Sequence, residues 1–254
     1  MTGIGPVALV TGGGTGIGRA VAERLVAAGA ERVYLNYSRS ADAAEEVADA
    51  LRARGAEVSA IRADIADAAA VRGMLARIEA EAGRLDHLVN NAGVTELIPF
   101  PDLDAVTAEV WERLWRVNVL GTFEVTRAAA GLLRAAEGSV VNIASIAGRR
   151  AVGSSLPYGV TKAAVVQLTR SLAVALAPRV RVNAISAGTV RTGWHDRLVG
   201  EEAARKKAEA EATVVPLGRL ADAGDIAEAV VAVLGLGFTT GEDILVDGGK
   251  GLLY

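Results

Sequence analysis

The hydrophobic residues of this chain follow two alternating patterns. Short runs rich in Val, Ile and Leu are almost continuously apolar, as expected of parallel strands that are covered on both faces. The Ala-rich stretches between them repeat their polar positions with the period of a helix. We predict strands at Val7–Val10, Arg32–Tyr37, Val58–Ala63, His87–Asn90, Ser139–Ile143, Arg181–Ile185 and Ile244–Val246. We predict helices at Gly18–Ala28, Ala41–Arg54, Ala68–Ala82, Thr107–Ala136, Pro157–Leu176 and Asp225–Leu234.

Strands and helices alternate along nearly the whole chain, which is typical of a doubly wound α/β fold. We therefore predict a mostly seven-stranded parallel sheet with helices on both faces. No linker, repeat or low-complexity tract interrupts the 254 residues, so we expect a single domain over residues 1–254. One long charged stretch, at about 188–215, breaks the alternation, and we interpret it as a substrate lid. A solvated surface helix at Gly200–Ala212 explains the same charges equally well.

The composition excludes several classes of protein. There are no cysteines, which rules out disulfides, thiolate metal sites and a cysteine nucleophile. The formal net charge is -3 and no basic run occurs, so we expect no nucleic-acid partner. We find neither a signal peptide nor an apolar segment of the roughly 18 residues that span a bilayer, and we expect a cytoplasmic protein without a membrane partner. The two histidines, His87 and His195, lack partners at metal-ligand spacing, so we predict no metal site.

A glycine-rich loop follows the first predicted strand, with the sequence Thr11-Gly12-Gly13-Gly14-Thr15-Gly16-Ile17-Gly18. The common G-x-G-x-x-G fingerprint fits no register of this loop, but Gly12, Gly16 and Gly18 serve a similar purpose. Glycines permit a tight turn and let backbone N–H groups approach a pyrophosphate at the start of a helix. The loop therefore indicates a dinucleotide-binding site.

Tyr158 and Lys162 lie four residues apart in a predicted helix and so share one of its faces. A nearby ammonium favours the phenolate and lowers the phenol pKa from about 10, which suits a tyrosine to acid/base chemistry. Ser145 follows the C-terminal end of the preceding strand, where ligands of open α/β sheets bind. A surface pair with an apolar stem would have the same spacing, but the apolar residues that follow Lys162 favour the catalytic interpretation.

In their shared order and spacing these motifs resemble those of the short-chain dehydrogenase/reductase family along nearly the whole chain. The family's T-G-x-x-x-G-x-G, N-N-A-G and Y-x-x-x-K have counterparts at residues 11–18, 90–93 and 158–162. Residues 187–192 resemble its P-G-x-x-x-T, with Ala187 in place of the proline.

The resemblance implies a Rossmann-fold oxidoreductase that moves a hydride between nicotinamide and a carbonyl/alcohol pair. It implies the catalytic residues Asn118, Ser145, Tyr158 and Lys162, with Asn118 kinking its helix and holding a water that relays protons through Lys162. It implies cofactor contacts from Gly12, Gly14, Thr15, Gly16, Ile17, Gly18, Ser38, Arg39, Asp64, Ile65, Asn91, Ala92, Gly93, Tyr158, Lys162, Gly188, Val190 and Thr192.

The cofactor preference follows from the end of the second strand. An NAD site usually has an acid about 20 residues past the glycines, but this chain has Ser38 and Arg39 there. A hydroxyl and a guanidinium suit a 2′-phosphate, so we predict NADP(H). If Arg39 is merely an exposed arginine at the start of a helix, NAD(H) remains the alternative.

The C-terminal motifs Pro216-Leu217-Gly218-Arg219 and Val246-Asp247-Gly248-Gly249 are most similar to those of 3-oxoacyl-[acyl-carrier-protein] reductases. The resemblance also implies a homotetramer. Arg134, Arg149 and Arg150 could dock an acidic acyl carrier protein, but Val174 stands where we would expect an arginine. A free small ketone, a sugar or a polyketide is therefore an alternative substrate. A non-catalytic dinucleotide-binding regulator is a further alternative, against which the presence of both Tyr158 and Lys162 counts.

Overall fold

A computed structural model describes residues 4–193 and 200–253 of the chain. The strands are β1 Val7–Thr11, β2 Arg32–Tyr37, β3 Glu57–Arg62, β4 His87–Asn90, β5 Ser139–Ser145, β6 Arg181–Ala187, β7 Val190–Arg191, β8 Ala221–Asp222 and β9 Asp243–Val246. The helices are α1 Gly16–Ala27, α2 Ala41–Arg52, α3 Ala68–Ala82, α4 Ala108–Trp115, α5 Thr122–Ala136, α6 Leu156–Leu176, α7 Glu201–Ala212 and α8 Ala223–Leu234.

Seven of the strands form one parallel sheet in the order β3-β2-β1-β4-β5-β6-β9. This confirms the predicted fold class. The chain leaves β1 towards one edge of the sheet and returns beside it as β4 to build the other half. Such a switch of direction opens a crevice beyond the carboxyl ends of the strands, where ligands of this fold bind. The short pair β7 and β8 was not predicted, because two-residue strands carry no periodicity.

The core lies in two layers, one on each face of the sheet. Side chains alternate between the faces along a strand, so Ala8 and Val10 of β1 pack with α1, α2 and α8 while Leu9 packs with α3, α5 and α6. Helices therefore cover both faces, and the long apolar runs in the sequence are the strands buried between them.

The predicted helix at Thr107–Ala136 is helical along its length, but its middle is not α-helical. Between α4 and α5 the chain forms a π-helical segment, Arg116–Gly121. Thr122 donates its hydroxyl to the carbonyl of Asn118 at 2.8 Å, and a Cβ built on Gly121 would stand 2.9 Å from the Ile65 side chain. A single π-helical turn hardly changes the spacing of apolar residues along the helix. The hydrophobic pattern of the sequence therefore did not reveal it.

The start of α6 is fixed by local capping. Ser155 precedes the helix and accepts a hydrogen bond from the N–H of Tyr158 at 3.4 Å, and Pro157 lies in the first turn. A capping oxygen satisfies one free donor at the helix end, and proline loses nothing there because its missing N–H would be unpaired. The backbone of Tyr158 is thus held at the first turn of a 21-residue helix.

His87 has a structural role at the opposite end of the sheet. Its Nε2 accepts a hydrogen bond from the N–H of Gly5 at 2.8 Å, and burial lowers its pKa to about 4. No group of potential metal ligands occurs in residues 4–193 and 200–253, and His195 lies outside them. Among the helices described, none is long and apolar enough to span a membrane.

Candidate active site

A cleft of about 1050 Å³ runs along the carboxyl edge of the sheet, between the ends of β1 to β6 and the loops that follow them. Most of the predicted site residues line it, and they come from six different β–α connections. These are Gly12, Gly14, Thr15, Gly16, Ile17, Ser38, Arg39, Asp64, Ile65, Asn91, Ala92, Gly93, Ser145, Tyr158, Lys162, Gly188, Val190 and Thr192. Gly18 and Asn118 are not part of the lining and lie behind it.

The glycine loop has the close packing that its sequence predicts. Gly12 and Gly16 have φ angles of 63° and 51°, in the left-handed region that glycine adopts most readily. A Cβ on Gly14 would stand 3.0 Å from the backbone of Ala44, and one on Gly18 would stand 2.1 Å from the carbonyl oxygen of Gly12. Gly18 therefore acts from behind the loop, where it lets α1 approach the turn.

The start of α1 faces the cleft with free backbone donors. Thr15 caps the helix without a side-chain hydrogen bond, and its first turn contains no acidic residue. The first N–H groups of a helix have no internal partners and carry the positive end of its dipole. A pyrophosphate fits this position, because Gly12, Gly14 and Gly16 line it without side chains that would cover the N–H groups.

Asn91 fastens the glycine loop to β4. Its amide donates to the carbonyl oxygens of Thr11 at 3.0 Å and Gly12 at 3.1 Å. In return, the N–H groups of Asn91 and Ala92 both donate to the Thr11 hydroxyl at 3.0 Å. Thr11 was not predicted as a site residue. It could have been found because it is the one polar residue at the end of an otherwise apolar strand.

One end of the cleft is formed by the residues after β2 and β3. Ser38 and Arg39 are exposed there, and Arg39 takes part in no ion pair within the described ranges. Asp64 lies beside them and accepts a hydrogen bond from the N–H of Ala66 at 2.9 Å. Asn36, which was not predicted, connects these loops: its carbonyl accepts from Gly13 at 3.0 Å, and its amide donates to Ala63 at 2.8 Å.

At the other end of the cleft, Ser145 and Tyr158 line the same wall, and the Ser145 hydroxyl acts to lower the pKa of the phenol. Ser145 is the last residue of β5, and its oxygen also accepts from the N–H of Ala147 at 3.2 Å. Burial raises the pKa of Tyr158, and the contact with Ser145 opposes this only in part. The expectation that the phenol pKa lies below its ordinary value is therefore wrong for the protein without ligand, because loss of hydration disfavours the phenolate.

Lys162 lies on the same face of α6 as Tyr158, as the spacing predicts. It is almost completely buried, and its ammonium donates to the carbonyl of Ile143 at 2.8 Å. The Nζ atom is 5.7 Å from the centre of the Tyr158 ring. Burial lowers the pKa of Lys162 to about 8. The lysine is thus bound to β5 rather than to the phenol, and its charge is itself destabilised by burial.

Asn118 clamps the segment after β4 from beneath the cleft. Its side-chain oxygen accepts from the N–H of Val94 at 2.8 Å, and its amide donates to the carbonyl of Val94 and the hydroxyl of Thr161, both at 3.0 Å. Asn118 therefore ties the π-helical segment to α6 and to the loop that follows β4. The water relay that the resemblance implies remains a prediction.

The loop after β6 brings the last predicted residues to the cleft. Gly188 donates its N–H to Val246 at 2.9 Å and lies so close to β9 that a Cβ would stand 2.7 Å from that of Asp247. Thr192 lies over the start of α1, where its side chain would be 3.5 Å from a Cβ on Gly16. Residues 194–199 of the predicted lid lie outside the described part of the chain.

Several polar residues that sequence reasoning missed also line this half of the cleft. Glu96 forms an ion pair with Arg113, and Thr95 contacts Ser154 through its hydroxyl. A further group consists of Thr189, Lys207, Glu211 and Lys250. These side chains come from segments that are distant in sequence, and no local motif connects them.

Comparison with known proteins finds relatives that match nearly the whole chain. A family model described as enoyl-(acyl carrier protein) reductase matches residues 12–250. A protein of Streptomyces violaceoruber, named as ketoacyl reductase 2 of granaticin polyketide synthase, is 43% identical, with 98% of this chain and 97% of the relative covered. The 2-(S)-hydroxypropyl-CoM dehydrogenase 3 of Xanthobacter autotrophicus is 37% identical, with 96% and 95% covered.

Two solved structures share the fold along the full chain. One, described as a short-chain dehydrogenase/reductase from Burkholderia xenovorans, has a TM-score of 0.90 and 34% identity, with 100% of both chains covered. The NADP active-site complex of RhlG from Pseudomonas aeruginosa has a TM-score of 0.87 and 33% identity, with 97% of this chain and 96% of that chain covered.

Proposed function

Because the chain belongs to the short-chain dehydrogenase/reductase family, whose members bind a nicotinamide dinucleotide, we propose that it reduces a ketone to a secondary alcohol with NADPH, or runs the reverse reaction. One observation carries this proposal. The hydroxyl residues Ser145 and Tyr158 and the buried Lys162 line the same cleft that the glycine loop enters.

The chain's own residues would bind and polarise the reacting oxygen. When bound, the cofactor supplies or accepts the hydride. Ser145 and Tyr158 would donate hydrogen bonds to the carbonyl oxygen, and Tyr158 would give up its phenolic proton as the alkoxide develops. The raised pKa of Tyr158 keeps this proton in place before the reaction. The ammonium of Lys162 then stabilises the phenolate that remains.

The cofactor preference is supported by the residues after β2. Ser38 and Arg39 are exposed at the cleft wall, and a guanidinium without an internal acidic partner suits a 2′-phosphate. The relative from Pseudomonas aeruginosa is described as an NADP complex. NADP(H) is the proposed cofactor, and NAD(H) is the alternative.

The substrate we favour is a 3-oxoacyl thioester, since the relative that shares 43% of its residues is named as a ketoacyl reductase. Two observations favour the alternative of a free ketone, a sugar or a polyketide. Arg149 donates to the buried carboxylate of Asp243 at 2.6 Å, and Val174 is 81% exposed where a carrier-docking cation was expected. An acyl carrier protein is therefore the weaker of the proposed partners.

We further propose that the chain acts as one dinucleotide-binding domain in the cytoplasm, with residues 188–215 as its lid. Support for the lid comes from α7, whose Lys207 and Glu211 line the cleft while most of the helix is exposed. A homotetramer is supported by large apolar side chains exposed on the outer helices, such as Trp115, Leu120 and Val174.

A panel of substrates tests the proposed function. The purified chain is mixed with NADPH or NADH and either an acetoacetyl thioester of N-acetylcysteamine or cyclohexanone, and oxidation of the reduced nicotinamide is followed by its absorbance. We expect turnover of at least one ketone, faster with NADPH. If the chain binds NADPH but neither reduces any ketone nor oxidises the corresponding alcohols with NADP, the non-catalytic regulator is favoured instead.

A further inference from the structure

A buried lysine of the C-terminal segment lies in the cleft and is not part of the catalytic group. Lys250 begins a short 3₁₀ turn, Lys250–Leu252, and is 7% exposed. Its ammonium donates to the hydroxyl of Thr189 at 3.1 Å and to the carboxylate of Glu211 at 2.8 Å. These three residues come from the C-terminal turn, the loop after β6 and the last turn of α7, and all three line the cleft.

The position of Lys250 is on the substrate side of the cleft. The 3₁₀ turn is held by Asp247, whose carboxylate accepts from the N–H groups of Gly249 at 2.8 Å and Gly251 at 2.5 Å. A Cβ on Gly251 would stand 3.5 Å from the side chain of Ile146, the residue that follows Ser145. Lys250 therefore lies near the Ser145 end of the cleft and away from the end formed by Ser38 and Arg39.

The charge of Lys250 is balanced by Glu211. Burial alone would raise the pKa of Glu211, but hydrogen bonds from Lys250 and Thr189 bring it below its ordinary value, so the carboxylate stays charged. Lys207 also approaches Glu211, at 3.9 Å. A buried ammonium is stable when such a partner neutralises it. With Lys207 included, two ammonium groups surround one carboxylate, so this group of side chains carries a net positive charge in the cleft.

An ammonium has three N–H donors, and within the described residues Thr189 and Glu211 take two of them. The third remains for a ligand in the cleft. The site is thus suited to an oxygen acceptor.

We propose that Lys250 is a substrate-binding residue that donates a hydrogen bond to a second oxygen of the ketone substrate, such as the acyl carbonyl of a 3-oxoacyl thioester. This assignment rests on the proposed ketone reduction at Ser145 and Tyr158. It adds a specificity determinant, supplied by the C-terminal turn and held by the lid helix.

Three probes separate binding of the second oxygen from binding of the reacting ketone. The acetoacetyl thioester of N-acetylcysteamine and free acetoacetate have a second oxygen, and cyclohexanone has none. Lys250→Met should raise KM for the thioester about tenfold, the loss typical of a hydrogen bond to a charged group, and leave KM for cyclohexanone and the Kd for NADPH within about twofold. The matched control is Lys206→Met, which breaks only an exposed ion pair with Glu202 on the same helix.

Thermal melting of each variant shows whether it is folded. If Lys250→Met is not, Lys250→Gln serves instead, because its amide is one bond shorter and removes the charge, while it leaves a polar group beside Thr189 and Glu211. An equal loss with all three probes, or an unchanged KM for the thioester, would overturn the assignment of Lys250 and make the ion pair a purely structural contact. If the wild-type chain reduces none of the three probes, the proposed function itself fails, and the assignment of Lys250 fails with it.

Discussion

The ammonium of Lys162 lies 2.8 Å from the backbone carbonyl oxygen of Ile143. This bond joins α6 to β5 two residues before Ser145 and holds a buried positive charge close to the catalytic phenol. The protein thus keeps a cation where hydration is poor, and burial lowers its pKa to about 8. In the proposed mechanism, this charge, which destabilises the fold, acts on Tyr158.

The pH dependence of stability should reveal this buried charge. Between the folded pKa of about 8 and the ordinary value of 10.5, the unfolded chain binds more protons at Lys162, so stability rises with pH in this window. Lys162→Met lacks this titration. We expect its free energy of unfolding, relative to the wild type, to fall by on the order of 2 kcal/mol between pH 7 and pH 10.

Chemical denaturation of both proteins across this pH range measures the difference. Because Tyr158 is present in both, its own titration largely cancels in the comparison. The variant should also lose most of its turnover. A difference in stability that stays constant with pH would show that Lys162 is not destabilised by burial.

Tyr158→Phe should abolish turnover and preserve the cofactor site. The substitution removes only the phenolic hydroxyl, while the capping of α6 by Ser155 and the glycine loop remain intact. We expect kcat to fall at least about a hundredfold, the usual contribution of a general acid, with the Kd for NADPH unchanged. Steady-state kinetics and fluorescence titration measure the two effects, and near-wild-type turnover would exclude Tyr158 as the proton donor.

Gly18→Ala should destabilise the protein and weaken dinucleotide binding. The new Cβ would stand 2.1 Å from the carbonyl oxygen of Gly12 and 2.6 Å from the Asn91 amide, so the loop must move. Overpacking of this kind costs about 1–3 kcal/mol. The matched control is Gly73→Ala in α3, where the new Cβ has nothing within 4 Å and should stabilise the helix by about 0.5–1 kcal/mol. Similar melting temperatures for the two variants would contradict the role of Gly18.

Arg39→Ala should weaken the binding of NADPH much more than that of NADH. If its guanidinium binds the 2′-phosphate, loss of a charge-assisted hydrogen bond should raise the Kd for NADPH at least about tenfold and change that for NADH little. Arg54→Ala, which removes an exposed arginine outside the cleft, is the control. Parallel losses for both cofactors would rule out Arg39 as the basis of the preference.

Features carried by neighbouring residues were predictable from the sequence. The strands are continuous apolar runs, and the seven-stranded parallel sheet follows from their alternation with helices. Gly12, Gly16 and Gly18 mark a turn that needs glycine, and the spacing of Tyr158 and Lys162 puts them on one helical face. Each of these signals depends on a period or a spacing within a few residues.

Other features depend on packing between distant segments. The π-helical turn at Asn118 is set by its contacts with Val94 and Thr161, and periodicity does not register them. The sequence pattern also predicted the wrong direction for the pKa of Tyr158, because it shows which charges are near but not how completely water is excluded.

The sequence by itself determined most of the helices and strands, the parallel sheet, the glycine loop and the candidate catalytic residues. Only the tertiary structure decided which side chains share the cleft with them, including Lys250 and Glu211, whose segments are far apart along the chain. The physical reason is that hydrophobic period and residue spacing report on local geometry, whereas burial and contact across the sheet edge arise only when every segment is packed.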